Sequence, residues 1–151
     1  MFRLLLAEDN AGDLLLFREA LKSCNFPFEL AVVQDGQAAI DVVRNHLTTG
    51  TSTRAGLDLV VLDVNLPKRN GNEVLRQIRR EPALSGLPVI MLTSAPLPAD
   101  QESAGELGAT LFLQKPSTLD QLLDIAKLIE GLLKGRSSRP GGTQPPTEPA
   151  C

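Results

Sequence analysis

The sequence predicts an α/β fold: a parallel sheet of five strands with helices on both faces. Three observations predict it. Apolar, strand-like runs alternate with helical periodicity through the first 134 residues, the pattern of successive βα units joined by right-handed crossovers. The run Val60-Val61-Leu62 is apolar without alternation, as in a strand covered on both faces. Polar residues stand where four of the strands stop, the edge at which open α/β sheets bind their ligands.

The elements follow in order. Residues 2–7, FRLLLA, form the first strand and end at Glu8-Asp9-Asn10. Asn10 or Asp13 caps the next helix, whose apolar face is Leu14, Phe17, Leu21 and Cys24. Asn25-Phe26-Pro27 ends that helix. Residues 28–34 form the second strand, with β-branched Val32 and Val33, and Asp35-Gly36 is the turn. Residues 37–47 read as a helix and 48–56, TTGTSTRAG, as a polar loop. The third strand delivers Asp63 into the loop VNLPKRNG. A helix over 71–80 buries Val74, Leu75 and Ile78 and stops at Glu81-Pro82. Residues 88–92 form the fourth strand, before Thr93. A short helix over 98–107 closes at Gly108, and 110–113 form the fifth strand, before Lys115-Pro116. Ser117 or Thr118 caps the last helix, which runs to about Lys134. Residues 135–151 are rich in Pro, Gly, Ser and Thr and are expected to form a flexible tail. One domain over 1–134 and a tail over 135–151 result.

Composition narrows the function classes. An apolar fraction of 42% excludes wholesale disorder. A net charge of −3, no basic run and no Trp or Tyr argue against nucleic acid as a partner. The N-terminus, MFRLLLAEDN, is neither a secretory signal nor long enough to span a membrane. Cys24 and Cys151 have no metal-ligand spacing and read as free thiols in a reducing cytoplasm.

The chemistry lies in what the strand ends bring together: Glu8 and Asp9 from the first, Asp63 from the third, Thr93 from the fourth and Lys115 from the fifth. An ionised Asp closing a buried strand is costly unless compensated. Taken alone, Asp63 reads equally well as a cap for the helix that follows. As a set, the residues form one site. Three carboxylates and one ammonium sum to −2, which a Mg²⁺ ion brings to zero. Mg²⁺ takes oxygen ligands, often one or two carboxylates with waters; Asp9, Asp63 and a backbone carbonyl just beyond Asp63 meet that need. Asp63 keeps an oxygen to act as nucleophile, and Lys115 and the Thr93 hydroxyl suit a phosphoryl group. The chemistry implied is in-line phosphoryl transfer to Asp63.

These residues carry a family resemblance. In LLLAEDN (4–10), LVVLDVNLPKRNG (59–71), PVIMLTSA (88–95) and LFLQKP (111–116) the chain resembles a receiver domain of two-component signalling. The resemblance implies a flavodoxin-like sheet in the order 2-1-3-4-5 with five flanking helices. It implies a phosphoacceptor, not an enzyme acting on other molecules: Asp63 becomes an aspartyl phosphate, supplied by a sensor histidine kinase in the presence of Mg²⁺. Asp9 would then bind the metal directly, Glu8 partly through water, and Asn65 through its carbonyl. Thr93 and Lys115 would contact the phosphoryl group. Thr93 and Phe112 would act as switch residues, and the Lys115-Pro116 peptide would be cis. The loop over 48–56 and the sequence DVNLPKRNG resemble the stand-alone receivers that partner phytochrome-type kinases.

Two other functions compete with this one. A Mg²⁺-dependent phosphohydrolase with an Asp nucleophile needs a second acid two residues on, and Asn65 stands there. A phosphorylation-independent docking module remains the alternative, and the complete set of Glu8, Asp9, Asp63, Thr93 and Lys115 argues against it. In the last helix, Leu122, Ala126, Ile129 and Leu133 make a core-facing stripe. Ile125, Leu128 and Leu132 widen it to a second side, which predicts a homodimer through this helix.

Overall fold

The computed structural model describes residues 2–24, 26–49, 57–84, 86–94 and 98–137. Its elements are β1 (Phe2–Ala7), α1 (Ala11–Ser23), β2 (Phe28–Val33), α2 (Gly36–Thr49), β3 (Leu59–Asp63), α3 (Gly71–Arg80), a 3-10 turn (Pro82–Leu84), β4 (Val89–Thr93), α4 (Pro98–Leu107), β5 (Leu111–Gln114) and α5 (Leu119–Ser137). The sheet order is β2-β1-β3-β4-β5, and every pairing is parallel.

The pleat sends alternate side chains of one strand to opposite faces. Leu4 and Leu6 of β1, Leu59 and Val61 of β3, and Ile90 and Leu92 of β4 pack under α1 and α5. Leu5, Ala7, Val60, Leu62, Val89 and Met91 pack on the other face, with Ile40 of α2 and Val74, Leu75 and Ile78 of α3. Both faces of the central strands are covered, which is why they read as unbroken apolar runs. The edge strands β2 and β5 are only partly buried.

Local chemistry sets the helix starts. Asn10 caps α1, its Oδ1 accepting from the Asp13 N–H at 2.9 Å. Asn70 and Glu73 form a reciprocal capping box on α3. Thr118 Oγ1 accepts from the Gln121 N–H at 3.1 Å at the start of α5.

Several expectations are corrected. Gly36 is the first residue of α2 rather than a turn residue, because Asp35 Oδ1 accepts from the Ala38 N–H at 2.7 Å and caps the helix one position earlier. α2 takes in Thr48 and Thr49, and residues 50–56 of the expected loop lie outside the described residues. α5 continues to Ser137, so the first three residues of the expected tail are helical; residues 138–151 lie outside the described residues. The Lys115-Pro116 peptide is trans; the isomers before proline differ by only about 1 kcal/mol, so local context decides between them. Cys24 is buried in the α1–α5 core and is disulfide-bonded, not a free thiol. Cys151 lies outside the described residues. No described helix is long and apolar enough to cross a membrane.

Candidate phosphoacceptor site

Four polar or charged residues are buried among those described: Glu8, Asp63, Thr93 and Glu130. Glu130 lies on α5, with Lys134 Nζ at 2.8 Å. The other three stand together at the carboxyl edge of the sheet. Asp63 is the last residue of β3 and Thr93 the last of β4, while Glu8 follows β1 directly and Lys115 follows β5. The backbone holds these ends in register. Val64 N–H donates to the Leu92 carbonyl at 2.8 Å, Lys115 N–H to the Thr93 carbonyl at 2.6 Å, and Glu8 N–H to the Val33 carbonyl at 3.0 Å.

Lys115 is the hub. Its Nζ lies 2.9 Å from Asp63 Oδ2, 2.9 Å from Glu8 Oε1 and 3.3 Å from Asp13 Oδ2. Asp63 Oδ1 accepts from the Asn65 N–H at 3.0 Å, and Glu8 Oε2 from the Asn10 N–H at 3.1 Å. Burial pushes the Glu8 carboxyl above its ordinary range, and the bonds from Lys115 and Asn10 only partly offset it. Burial would lower the Lys115 pKa, but its bonds to Glu8 and Asp63 outweigh that and hold the ammonium more firmly charged than an ordinary lysine.

Each of Glu8, Asp9 and Asp63 offers a carboxylate oxygen, and these oxygens lie within 4.8 Å of one another. Asp9 is exposed, so the cluster opens to solvent on one side. Hard oxygen donors, net negative charge and room for waters fit Mg²⁺. Asn65 is exposed, next but one to Asp63. Phe112 is half-buried on the α4 side of β5, packed against the core there and not part of the charged cluster. Glu8, Asp9, Asp63, Thr93 and Lys115 therefore converge as the strand ends implied.

Asp13 was legible only as a capping candidate. Its N–H is held by Asn10 while its carboxylate, 46% exposed, turns to Lys115. The available signal was its place in the first turn of the helix that leaves the Glu8-Asp9 strand end.

The family profile of the response regulator receiver domain matches residues 4–127. The chain belongs to the response regulator receiver family. Response regulator Rcp1 of Synechocystis sp. is 34% identical over 129 residues, covering 85% of this chain and 84% of Rcp1. The crystal structure of the Mn²⁺-bound form of Rcp1 superposes with a TM-score of 0.77, covering 93% of this chain and 100% of that one. The phosphorylated cyanobacterial phytochrome response regulator RcpA superposes with a TM-score of 0.78 at 33% identity, covering 93% and 99%. The "Probable methanogenesis regulatory protein FilR2" of Methanothrix harundinacea is 33% identical over 140 residues, covering 93% and 88%.

Proposed function

We infer that this receiver accepts a phosphoryl group on Asp63 from a sensor histidine kinase and works as a single-domain response regulator in the cytoplasm. The observation that carries the reading is the Asp63 carboxylate, buried at the end of β3, with Lys115 Nζ 2.9 Å from one oxygen. Asp63 attacks phosphorus in line; the bond from phosphorus to the donor histidine nitrogen breaks as the bond to the Asp63 oxygen forms, leaving an acyl phosphate. Glu8, Asp9, Asp63 and the Asn65 carbonyl would hold a Mg²⁺ ion, which neutralises the acids and the incoming phosphoryl oxygens. Lys115 supplies a fixed positive charge beside the reacting carboxylate, and the Thr93 hydroxyl donates to a phosphoryl oxygen. Thr93 and Phe112 carry the change outward, Phe112 between its half-buried position and a more exposed one. The phosphoryl group turns over only on the protein itself.

The similarity to RcpA, a phytochrome response regulator, favours a phytochrome-type kinase as partner. The proposed domain, expected over 1–134, extends with α5 to Ser137, and 138–151 follow as an appended tail. The homodimer through α5 rests on a narrower patch than the apolar pattern suggested. Ile125 is buried in the core and Leu132 is half-buried against it, which leaves Leu128, 43% exposed, and Leu119, 58% exposed. Sedimentation at high concentration, with and without phosphorylation, reads the dimer directly, and a monomer in both states removes it.

The test of the function is intact mass after incubation with Mg²⁺ and a small acyl-phosphate donor. Wild type gains one phosphoryl group; Asp63→Asn, or wild type with chelator, gains none. A folded wild type that takes no phosphoryl group from either the small donor or a phosphorylated kinase refutes the reading and leaves the docking module.

A further inference from the structure

The loop that follows Asp63 is held from outside the site. Its start is pinned by the Val64 N–H to the Leu92 carbonyl at 2.8 Å, and its end by the Gly71 N–H to the Val64 carbonyl at 2.9 Å. Its middle meets the start of α2. The Gly36 N–H donates to the Pro67 carbonyl at 3.1 Å, and the exposed Lys68 Nζ lies 3.7 Å from Asp35 Oδ2. Lys68 is the one non-glycine residue with positive φ among those described, at 66°. The Arg69 N–H donates back to the Pro67 carbonyl at 2.7 Å across it. That is a γ-turn of the rare, strained hand, and such a turn persists only where its surroundings over-determine it.

Gly36 is what surrounds it. As the first residue of α2, Gly36 needs no unusual backbone angle. What the position requires is the absence of a side chain. A Cβ there would overlap the Arg69 carbonyl oxygen, and would stand 2.5 Å from the Arg69 carbonyl carbon and 2.7 Å from the Arg69 Cβ.

We propose that Gly36 is a positioning residue for the phosphoacceptor site: the bare N-terminus of α2 seats the Pro67-Lys68-Arg69 turn, and that turn sets where the Asn65 backbone lies relative to Asp63. The proposal deepens the phosphoacceptor reading and rests on it. Asn65 is two residues from the seated turn, its N–H bonds Asp63 Oδ1 at 3.0 Å, and between them Leu66 is buried in the core. The segment is anchored at each step and has little slack. To restore an ordinary contact of 3.4 Å, the Arg69 carbonyl carbon must retreat by about 1 Å from a Cβ 2.5 Å away. A misplacement of that size at a reacting centre costs up to about 100-fold.

The experiment compares Gly36→Ala, Lys68→Pro, Lys68→Gly and Gly131→Ala with wild type. Proline cannot adopt positive φ, so Lys68→Pro breaks the turn from the loop side at an exposed position, whereas glycine keeps the turn and removes only the side chain. Gly131 has open space at its Cβ and serves as the control for glycine-to-alanine change in a helix. Three quantities are read well below each melting temperature: Mg²⁺ affinity by calorimetry, the rate of mass gain from an acyl-phosphate donor, and the amide resonances of Asn65 and Gly71. Gly36→Ala and Lys68→Pro are expected to weaken Mg²⁺ binding at least tenfold, slow phosphorylation by a similar factor and shift the Asn65 amide. Lys68→Gly and Gly131→Ala stay within twofold. A folded Gly36→Ala with wild-type Mg²⁺ affinity and an unshifted Asn65 amide overturns the proposal, even if its melting temperature falls. If Gly36→Ala does not fold, Lys68→Pro with wild-type values overturns it equally. If wild type takes no phosphoryl group, the phosphoacceptor reading fails, while the amide and Mg²⁺ readings still judge the seat.

Discussion

Replacing Lys115 by Met removes the positive charge while keeping most of the apolar stem, and the structure says what that costs. Lys115 Nζ is within 3.0 Å of both Glu8 and Asp63, whose side chains are 5% and 6% exposed. Without it, two buried carboxylates face one another with no cation between them. Breaking a buried ion pair by removing one partner costs about 3–5 kcal/mol. Lys115 keeps some contact with solvent, so water enters the gap and the lower end, about 3 kcal/mol, applies. The contact to Asp13, on the exposed rim, adds little. In urea, with a slope of about 2 kcal/mol/M, the midpoint measured in chelator falls by about 1.5 M. Mg²⁺ replaces the missing charge, so it binds the variant more tightly and restores more stability to it than to wild type; at 100 times the dissociation constant the linkage alone is about 2.7 kcal/mol. Combining Lys115→Met with Asp63→Asn costs less than the sum of the two, by about 1 kcal/mol or more, because they share one interaction. A loss under 1 kcal/mol in chelator, or the same loss with and without Mg²⁺, refutes this account of the site.

Other outcomes follow from the same geometry. The folded-state pKa of Glu8 is raised, so in chelator the folded protein binds more protons than the unfolded chain just above pH 4.5; stability therefore falls as pH rises through that window, and Glu8→Gln flattens the slope in urea titrations at stepped pH. The raised pKa of Lys115 acts at the other end. Its stabilisation is complete below pH 10.5 and is lost as pH rises above it, which alkaline unfolding of wild type against Lys115→Met measures. Asn70→Ala removes the side-chain oxygen that accepts from the Glu73 N–H, while the bond from the residue-70 backbone N–H to Glu73 Oε1 stays available; it lowers stability by about 1 kcal/mol, read as a drop of a few degrees in melting temperature. Leu133→Ala, at a fully buried position on the core face of α5, costs about 2–5 kcal/mol in the same assay with no change in Mg²⁺ affinity.

Periodicity, caps and breakers are properties of neighbours along the chain, and they were legible. The runs at Leu4, Val60 and Ile90 announced strands, the one at Val60 a strand buried on both faces, and the structure divides the side chains of all three between the two cores. The end of α3 follows from Glu81-Pro82 after it, whereas the Asn70 cap at its start belongs to the structure. Because parallel strands all end at one edge, placing Glu8, Asp63, Thr93 and Lys115 at strand ends was enough to bring them together. Helix ends were less legible. α2 and α5 both run past the expected stop, since final turns fray without a strong breaker.

Through-space relations were left to the tertiary structure. Nothing in the sequence says that Ile125 turns into the core while Leu128, three residues on, stays exposed; the width of the surface beneath α5 decides that. Nor does spacing show that Asp13 turns to Lys115, or that a Cβ at Gly36 would overlap the Arg69 carbonyl oxygen. The first depends on which groups meet across the fold, and the second on a distance between segments more than thirty residues apart. Pattern along a chain determines which elements form and which face they bury; which atoms then touch is determined by close packing, where a single methyl group is enough to exclude a neighbour.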